Sequence, residues 1–124
     1  MPKLLVVDDE NDIREFAKSF FKRRGVEVFT ARGGNEALSI IAKENPDLVL
    51  LDVRMEEMTG LEVLRRIREK NFTVKVIMVT ALETMEKIEE ALRLGADNYI
   101  TKPLSLEYLE NDVREKIAAL AAHP

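Results

Sequence analysis

Short apolar runs alternate with longer amphipathic stretches along this chain of 124 residues. The runs are rich in Val, Ile and Leu, and they span Leu4–Val7, Val26–Thr30, Leu48–Leu51, Val76–Val79 and Asn98–Thr101. Three of the runs are continuously apolar, which is typical of strands that are covered on both faces. The alternation therefore predicts parallel strands that are connected by helices.

The stretches between the runs have the period of amphipathic helices. In the first stretch, apolar side chains recur at the spacing of one helical stripe, at Ile13, Phe16, Ala17, Phe20 and Phe21. Similar stripes predict four further helices, around residues 37–41, 61–67, 88–92 and 106–120.

Glycine and proline mark the predicted ends of three helices. Gly25 and Gly95 follow the first and fourth stripes, as glycine commonly does at a helix C-terminus. Asn45 precedes Pro46 and should end the second helix, because the residue before a proline avoids right-handed helical angles. Five strands alternating with five helices predict one α/β domain over residues 1–124, with a doubly wound parallel sheet in three layers.

The composition excludes several classes of protein. Apolar residues make up 46% of the chain, which excludes a disordered protein, and the lack of cysteine excludes disulfides and thiolate zinc sites. The net charge of −4 gives no electrostatic footprint for nucleic acid. No apolar run approaches the ~20 residues of a membrane helix. We expect a cytoplasmic protein that binds neither nucleic acid nor a membrane directly.

Polar side chains follow the apolar runs at the points where the runs end. They are Asp8, Asp9 and Glu10 after the first run, Asp52 after the third, Thr80 after the fourth and Lys102 after the fifth. Because the carboxyl ends of parallel strands share one edge of the sheet, these groups should converge there. Open α/β sheets bind their ligands at this edge.

Carboxylates that crowd at one edge require protonation or a cation at neutral pH. Two carboxylates about 4 Å apart repel each other by about 4 kcal/mol at an effective dielectric of about 20. Oxygen ligands without His or Cys favour Mg²⁺, or Mn²⁺ in its place. Lys102 adds a positive charge and Thr80 a hydrogen-bond donor, which suits a phosphoryl site. A carboxylate can also be the nucleophile and form an aspartyl phosphate.

Each of these residues also has an ordinary structural explanation. Asp8 and Asp9 suit helix N-caps, and Asp52 suits a turn at a strand end. Thr80 favours strands, and a lone lysine such as Lys102 is usually solvated. The expected convergence of all five on one edge nevertheless favours a functional site.

Four elements of this pattern resemble a known family. They are Asp8–Asp9, Asp52, Thr80 with Ala81, and Lys102–Pro103. In this order, each at the end of an apolar run, they resemble the receiver domains of response regulators in two-component signalling. The resemblance covers residues 3–120. It implies the CheY-like, flavodoxin-like fold with strand order 2-1-3-4-5.

The resemblance implies a set of metal ligands around a phosphoacceptor. Asp52 would accept the phosphoryl group. Asp9 and Asp52 would ligate Mg²⁺ directly, together with the backbone carbonyl of Arg54. Asp8 would act largely through water.

The resemblance also implies residues that respond to the phosphoryl group. Lys102 would pair with it, next to a cis peptide before Pro103. Thr80 would move toward it, and Tyr99 would change rotamer, although an aromatic residue on a strand is usually there for packing. Ala81 is small and would leave room for the phosphoryl group beside its backbone.

One residue departs from the family pattern. The family commonly has a proline four residues after the phosphoacceptor, and this chain has Glu56 there. The loop therefore loses a fixed φ and gains a negative charge near the metal. We expect the phosphoryl chemistry to survive this change.

The implied partners follow from the family. A sensor histidine kinase or a phosphotransfer protein would donate the phosphoryl group and dock on the first helix around Arg14 and Phe21. A downstream protein or a fused output domain would read the face of the fourth helix, fifth strand and fifth helix, which also allows a homodimer. The chain would be a switch with intrinsic autophosphorylation and autodephosphorylation, not a turnover enzyme.

Three other functions use the same fold or similar residues. An unphosphorylated interaction module would share the fold and show no Mg²⁺ binding. A flavodoxin-like FMN carrier needs a phosphate loop rich in Ser, Thr and Gly after the first strand, where the acidic segment 8–10 would repel phosphate. A phosphohydrolase with an aspartate nucleophile usually has an Asp-x-Asp pattern there, which this segment does not match.

Overall fold

The computed structural model describes residues 2–81, 85–102, 110, 115 and 118. The strands are β1 (Lys3–Val7), β2 (Glu27–Ala31), β3 (Leu48–Asp52), β4 (Lys75–Thr80) and β5 (Asn98–Thr101). The helices between them are α1 (Asn11–Lys22), α2 (Gly34–Glu44), α3 (Gly60–Glu69) and α4 (Met85–Arg93). The bounds of every strand agree with the predicted run to within one residue at each end. The predicted fifth helix lies almost entirely outside the described residues.

The strands form one parallel sheet in the order β2-β1-β3-β4-β5, as the family resemblance implies. The register places Val7 beside Ala31 on one side and Leu51 on the other. It also places Asp52 beside Val79. The strand order reverses between β1 and β3, so the carboxyl ends of these two strands border the crevice where such sheets bind ligands.

Helices cover both faces of the sheet, and the side chains of each strand alternate between them. In β1, Leu4 and Val6 belong to the core under α1, whereas Leu5 and Val7 belong to the core under α2, α3 and α4. Burial on both faces explains why β1, β3 and β4 are continuously apolar. The predicted three-layer α/β architecture is confirmed. Within the part of the chain that the structure describes, none of the helices combines the length and apolar character that a membrane crossing requires.

A residue with positive φ follows each of the helices α1 to α4. These residues are Gly25, Asn45, Asn71 and Gly95. After α4, the amide of Gly95 donates to the carbonyl of Leu92, and the amide of Ala96 to that of Ala91, which is the Schellman pattern. Asn45 ends α2 as predicted, but its φ is 50°, in the left-handed region, rather than the extended region that is usual before a proline. Asn71 lies two residues after the end of α3, where no glycine or proline marks the helix end in the sequence.

The N-terminus of α2 is capped by a residue from another part of the chain. Its N-cap residue, Gly33, has no side chain to accept a hydrogen bond. The amide of Asn35 instead donates to Glu57 Oε1 at 2.9 Å, and Glu57 lies in the loop after β3. The negative carboxylate also lies near the positive end of the helix dipole, where it stabilises the helix. Glu57 therefore ties the loop that follows Asp52 to α2.

Replacing Glu57 with alanine should lower the free energy of unfolding by about 1 kcal/mol, because the first turn of α2 loses its acceptor. Glu57→Gln keeps an acceptor oxygen and loses only the charge, so its loss should be smaller. Urea denaturation of the three proteins at neutral pH measures both effects. Equal midpoints for wild type and Glu57→Ala would show that the cap contributes nothing.

Candidate functional site

Four strand ends bring polar side chains to one edge of the sheet. Asp8 follows β1, Asp52 ends β3, Thr80 ends β4 and Lys102 follows β5. Asp8, Asp52 and Thr80 are buried, with at most 3% of each exposed. Lys102 Nζ lies 3.1 Å from Asp8 Oδ2 and 3.4 Å from Asp52 Oδ2. The structure thus joins three of the predicted site residues through one ammonium group.

The charges at this edge are only partly balanced. Burial and the neighbouring Asp8 carboxylate raise the pKa of Asp52 to about 6, although Lys102 and the backbone amide of Arg54 oppose the rise. Burial by itself would lower the pKa of Lys102, but the carboxylates of Asp52 and Asp8 outweigh it, and the pKa is raised. One lysine therefore does not fully compensate two buried carboxylates. A further cation at this edge would stabilise their ionised forms.

Backbone groups hold both buried carboxylates in place. Asp8 Oδ1 accepts a hydrogen bond from the amide of Glu10 at 2.9 Å, and Asp52 Oδ1 accepts one from the amide of Arg54 at 3.3 Å. Arg14 Nη1 donates to the backbone carbonyl of Asp8 at 2.7 Å. Asp8 and Asp9 are not helix caps, because the N-cap residue of α1 is Glu10.

The acidic segment after β1 offers ligands for a divalent ion. Asp8, Asp9 and Glu10 each have a carboxylate oxygen within 4.8 Å of the others. Asp8 is buried, and the other two are exposed, so the group opens toward solvent. The donors are all hard oxygens, which fits Mg²⁺ or Mn²⁺ and does not suit a soft metal. Glu10, to which the family pattern gives no role, belongs to this group.

A pocket of about 160 Å³ opens beside Asp52. It is lined by Glu10, Asp52, Val53, Arg54, Ala81 and Lys102. The pocket is thus lined by the predicted phosphoacceptor, the predicted lysine and the small side chain of Ala81. Arg54 also lines this pocket, and its backbone carbonyl stays a predicted metal ligand.

The predicted switch residues lie on β4 and β5. The hydroxyl of Thr80 donates to the backbone carbonyl of Ala81 at 2.7 Å. Tyr99 is half-buried and packs against the core under α2, α3 and α4. The peptide between Lys102 and Pro103 lies outside the described residues, so its cis conformation stays a prediction.

The two residues around which docking on α1 was predicted are both buried. Only 9% of Arg14 and 3% of Phe21 is exposed, because the Arg14 guanidinium binds backbone at the end of β1 and Phe21 packs in the core under α1. Neither residue offers an accessible surface. Phe16, which the apolar stripe assigned to the buried face, is instead 38% exposed. Together with Phe20 and Arg23 it lines a groove of about 770 Å³.

Asp52→Asn should stabilise the metal-free protein near neutral pH. The pKa of Asp52 is higher in the folded protein, at about 6, than in the unfolded chain, so its ionisation weakens the fold as pH rises between ~4 and ~6. The variant should therefore exceed wild type by up to about 3 kcal/mol in unfolding free energy at pH ~7.5, and the difference should vanish near pH ~4. Urea unfolding in EDTA at the two pH values measures it. A difference that does not change with pH would contradict this assignment.

Comparisons with known proteins place the whole chain among its relatives. The family model of the response regulator receiver domain matches residues 4–114. The sporulation initiation phosphotransferase F of Bacillus subtilis (strain 168) is 36% identical over 113 residues, which are 91% of each chain. The regulatory protein AtoC of Escherichia coli (strain K12) is 39% identical over 107 residues, which are 86% of this chain and 23% of AtoC.

A solved structure extends the likeness to three dimensions. The response regulator protein TrrA from Thermotoga maritima, crystallised in complex with Mg²⁺ and BeF, has a TM-score of 0.83 and 38% sequence identity to this chain. The match covers 97% of this chain and 99% of TrrA. The fold, the strand order and the extent of the family match all point the same way, and this chain belongs to the family of response regulator receiver domains.

Proposed function

We propose that this chain accepts a phosphoryl group on Asp52 from the phosphohistidine of a sensor histidine kinase or phosphotransfer protein. A carboxylate oxygen of Asp52 would attack the phosphorus, the P–N bond would break, and its electron pair would leave with the imidazole. The observation that carries the proposal is the position of Lys102. Its ammonium contacts both Asp8 and Asp52 in the wall of a pocket that has space for a phosphoryl group.

The acidic groups of the site would hold Mg²⁺, or Mn²⁺ in its place. Asp9, Asp52 and the backbone carbonyl of Arg54 are the proposed direct ligands, and Asp8 would act through water. When bound, the ion would neutralise charge on the phosphoryl oxygens. The carboxylate of Asp52, with a pKa of about 6, is mostly ionised at neutral pH and so able to attack. Burial shields it from bulk water, which strengthens its interaction with Lys102.

Thr80 and Tyr99 would transmit the change to the surface. The hydroxyl of Thr80 would exchange its bond to Ala81 for one to a phosphoryl oxygen, and Tyr99 would change rotamer on the neighbouring strand. A switch from about 1:99 to about 99:1 requires about 5.5 kcal/mol of differential stabilisation. The readout surface would be α4, β5 and the predicted fifth helix.

We propose that residues 1–124 form one receiver domain that acts in the cytoplasm. The domain would be a phosphoacceptor switch with its own autophosphorylation and autodephosphorylation. Its reader would be a separate protein or a fused output domain, and a homodimer could form through the same face. The relatives support both arrangements, since this chain spans 91% of the sporulation phosphotransferase but only 23% of AtoC.

Acetyl phosphate with Mg²⁺ should add one phosphoryl group to the wild-type protein and none to Asp52→Asn. Intact-mass spectrometry measures the addition, and EDTA should abolish it. Asp12→Asn changes an exposed acid in the first turn of α1 and should be labelled like wild type. Equal labelling of wild type and Asp52→Asn would exclude Asp52 as the acceptor. A wild type that takes up no phosphoryl group and binds no Mg²⁺ would favour an interaction module.

Thr80→Ala should uncouple the site from β5. With beryllofluoride and Mg²⁺, the backbone NMR signal of Tyr99 should shift in wild type, and this shift should be largely lost in Thr80→Ala. Thr73→Ala removes an exposed hydroxyl in the loop before β4 and should keep the full shift. An unchanged Tyr99 shift in Thr80→Ala would show that Thr80 does not transmit the signal.

A further inference from the structure

The loop after β3 makes a contact that the usual family residue could not make. The backbone amide of Glu56 donates a hydrogen bond to Asp9 Oδ2 at 3.3 Å. A proline at this position would have no amide hydrogen. The departure from the family pattern therefore does more than release φ and add a charge, because it also gives a proposed metal ligand a hydrogen-bond donor.

Asp9 differs from the other two aspartates in how it is held. Asp8 and Asp52 are buried, and each contacts both a backbone amide and the ammonium of Lys102. Asp9 is exposed, and its carboxylate receives the amide of Glu56. An exposed side chain without an anchor exchanges rotamers on the picosecond to nanosecond timescale. The backbone amide of Glu56 is therefore placed to restrict the one proposed carboxylate ligand that burial does not restrict.

The loop itself is fixed well enough to serve as an anchor. The amide of Val53 donates to the carbonyl of Val79 at 3.0 Å, and the amide of Gly60 donates to the carbonyl of Val53 at 2.8 Å. A Cβ on Gly60 would overlap the backbone carbonyl of Asp52, so the loop closes tightly against the end of β3. Between these points, Glu57 binds the N-terminus of α2.

We infer that Glu56 is a positioning residue whose backbone amide orients the Asp9 carboxylate for the divalent ion. The inference rests on the metal site proposed above. A carboxylate has about four lone-pair sites, so one hydrogen bond to Oδ2 leaves capacity for the ion. A ligand that is already oriented loses less rotamer freedom when the ion binds, and the affinity rises accordingly.

Two substitutions separate the amide of Glu56 from its charge. Glu56→Gln removes the side-chain charge and keeps the backbone amide. Because an exposed charge is screened by salt, the affinity for Mg²⁺ should stay within about twofold of wild type. Glu56→Pro removes both the charge and the backbone N–H. Mg²⁺ should bind to this variant roughly fivefold to tenfold more weakly than to Glu56→Gln. Calorimetric titration of the folded proteins with Mg²⁺ measures both. A proline variant that binds Mg²⁺ as tightly as Glu56→Gln, or more tightly, would overturn the inference.

A second measurement needs neither the metal nor the proline variant. In metal-free protein, Asp9→Ala should move the amide proton of Glu56 upfield in the NMR spectrum and speed its exchange with solvent. Asp12→Ala, an exposed acid on α1, should leave that proton in place. An amide of Glu56 that does not respond to Asp9→Ala would overturn the inference even if Glu56→Pro fails to fold.

The two levels of the proposal fail in different ways. If the wild type binds no Mg²⁺, the proposed metal site is wrong and the role of Glu56 is wrong with it. If the wild type binds Mg²⁺ and the Gln and Pro variants bind equally, the metal site stands and only the role of Glu56 is wrong.

Discussion

The carboxylates of Asp8 and Asp52 are two like charges buried at one edge of a parallel sheet, and the rest of the site is arranged around them. Asp8 and Asp52 come from neighbouring strands, and the ammonium of Lys102 contacts both. Burial strengthens the repulsion between the carboxylates as much as their attraction to the lysine. The pKa of Asp52 remains raised, to about 6. The fold therefore keeps two carboxylates that Lys102 does not fully neutralise, which supports the proposed binding of a divalent ion at this edge.

The scaffold supports this arrangement from both faces of the sheet. One apolar core under α1 and another under α2, α3 and α4 fix the strands, and the strands fix the positions of the polar groups at their ends. The loop after β3 begins with Val53 and Arg54, which line the pocket beside Asp52. It is tied to α2 through Glu57 and to the acidic segment through the amide of Glu56. Real proteins tolerate such unfavourable local charge where function needs it, because the surrounding structure is stable enough.

Most of the fold could be predicted because its signals are local. A continuous apolar run identifies a strand buried on both faces, and all five strands agree with their runs to within one residue at each end. Predictions from helical period were less accurate in detail. The stripe assigned Phe16 to the buried face, and the structure exposes 38% of it while it buries Arg14. A period cannot reveal that an arginine will find a backbone carbonyl at the end of β1, since that partner depends on how helix and strand meet.

By itself, the sequence determined the α/β class, the strand positions and the residue types at the strand ends, because apolar periodicity and strand-end chemistry are written locally. The strand order came from the family resemblance. Only the tertiary structure decided which atoms meet: that Lys102 contacts Asp8 and Asp52 together, and that the amide of Glu56 reaches Asp9 across 47 positions of sequence. A hydrogen bond depends on distances of a few tenths of an ångström, and these are fixed by packed strands and loops rather than by any repeating pattern in the chain.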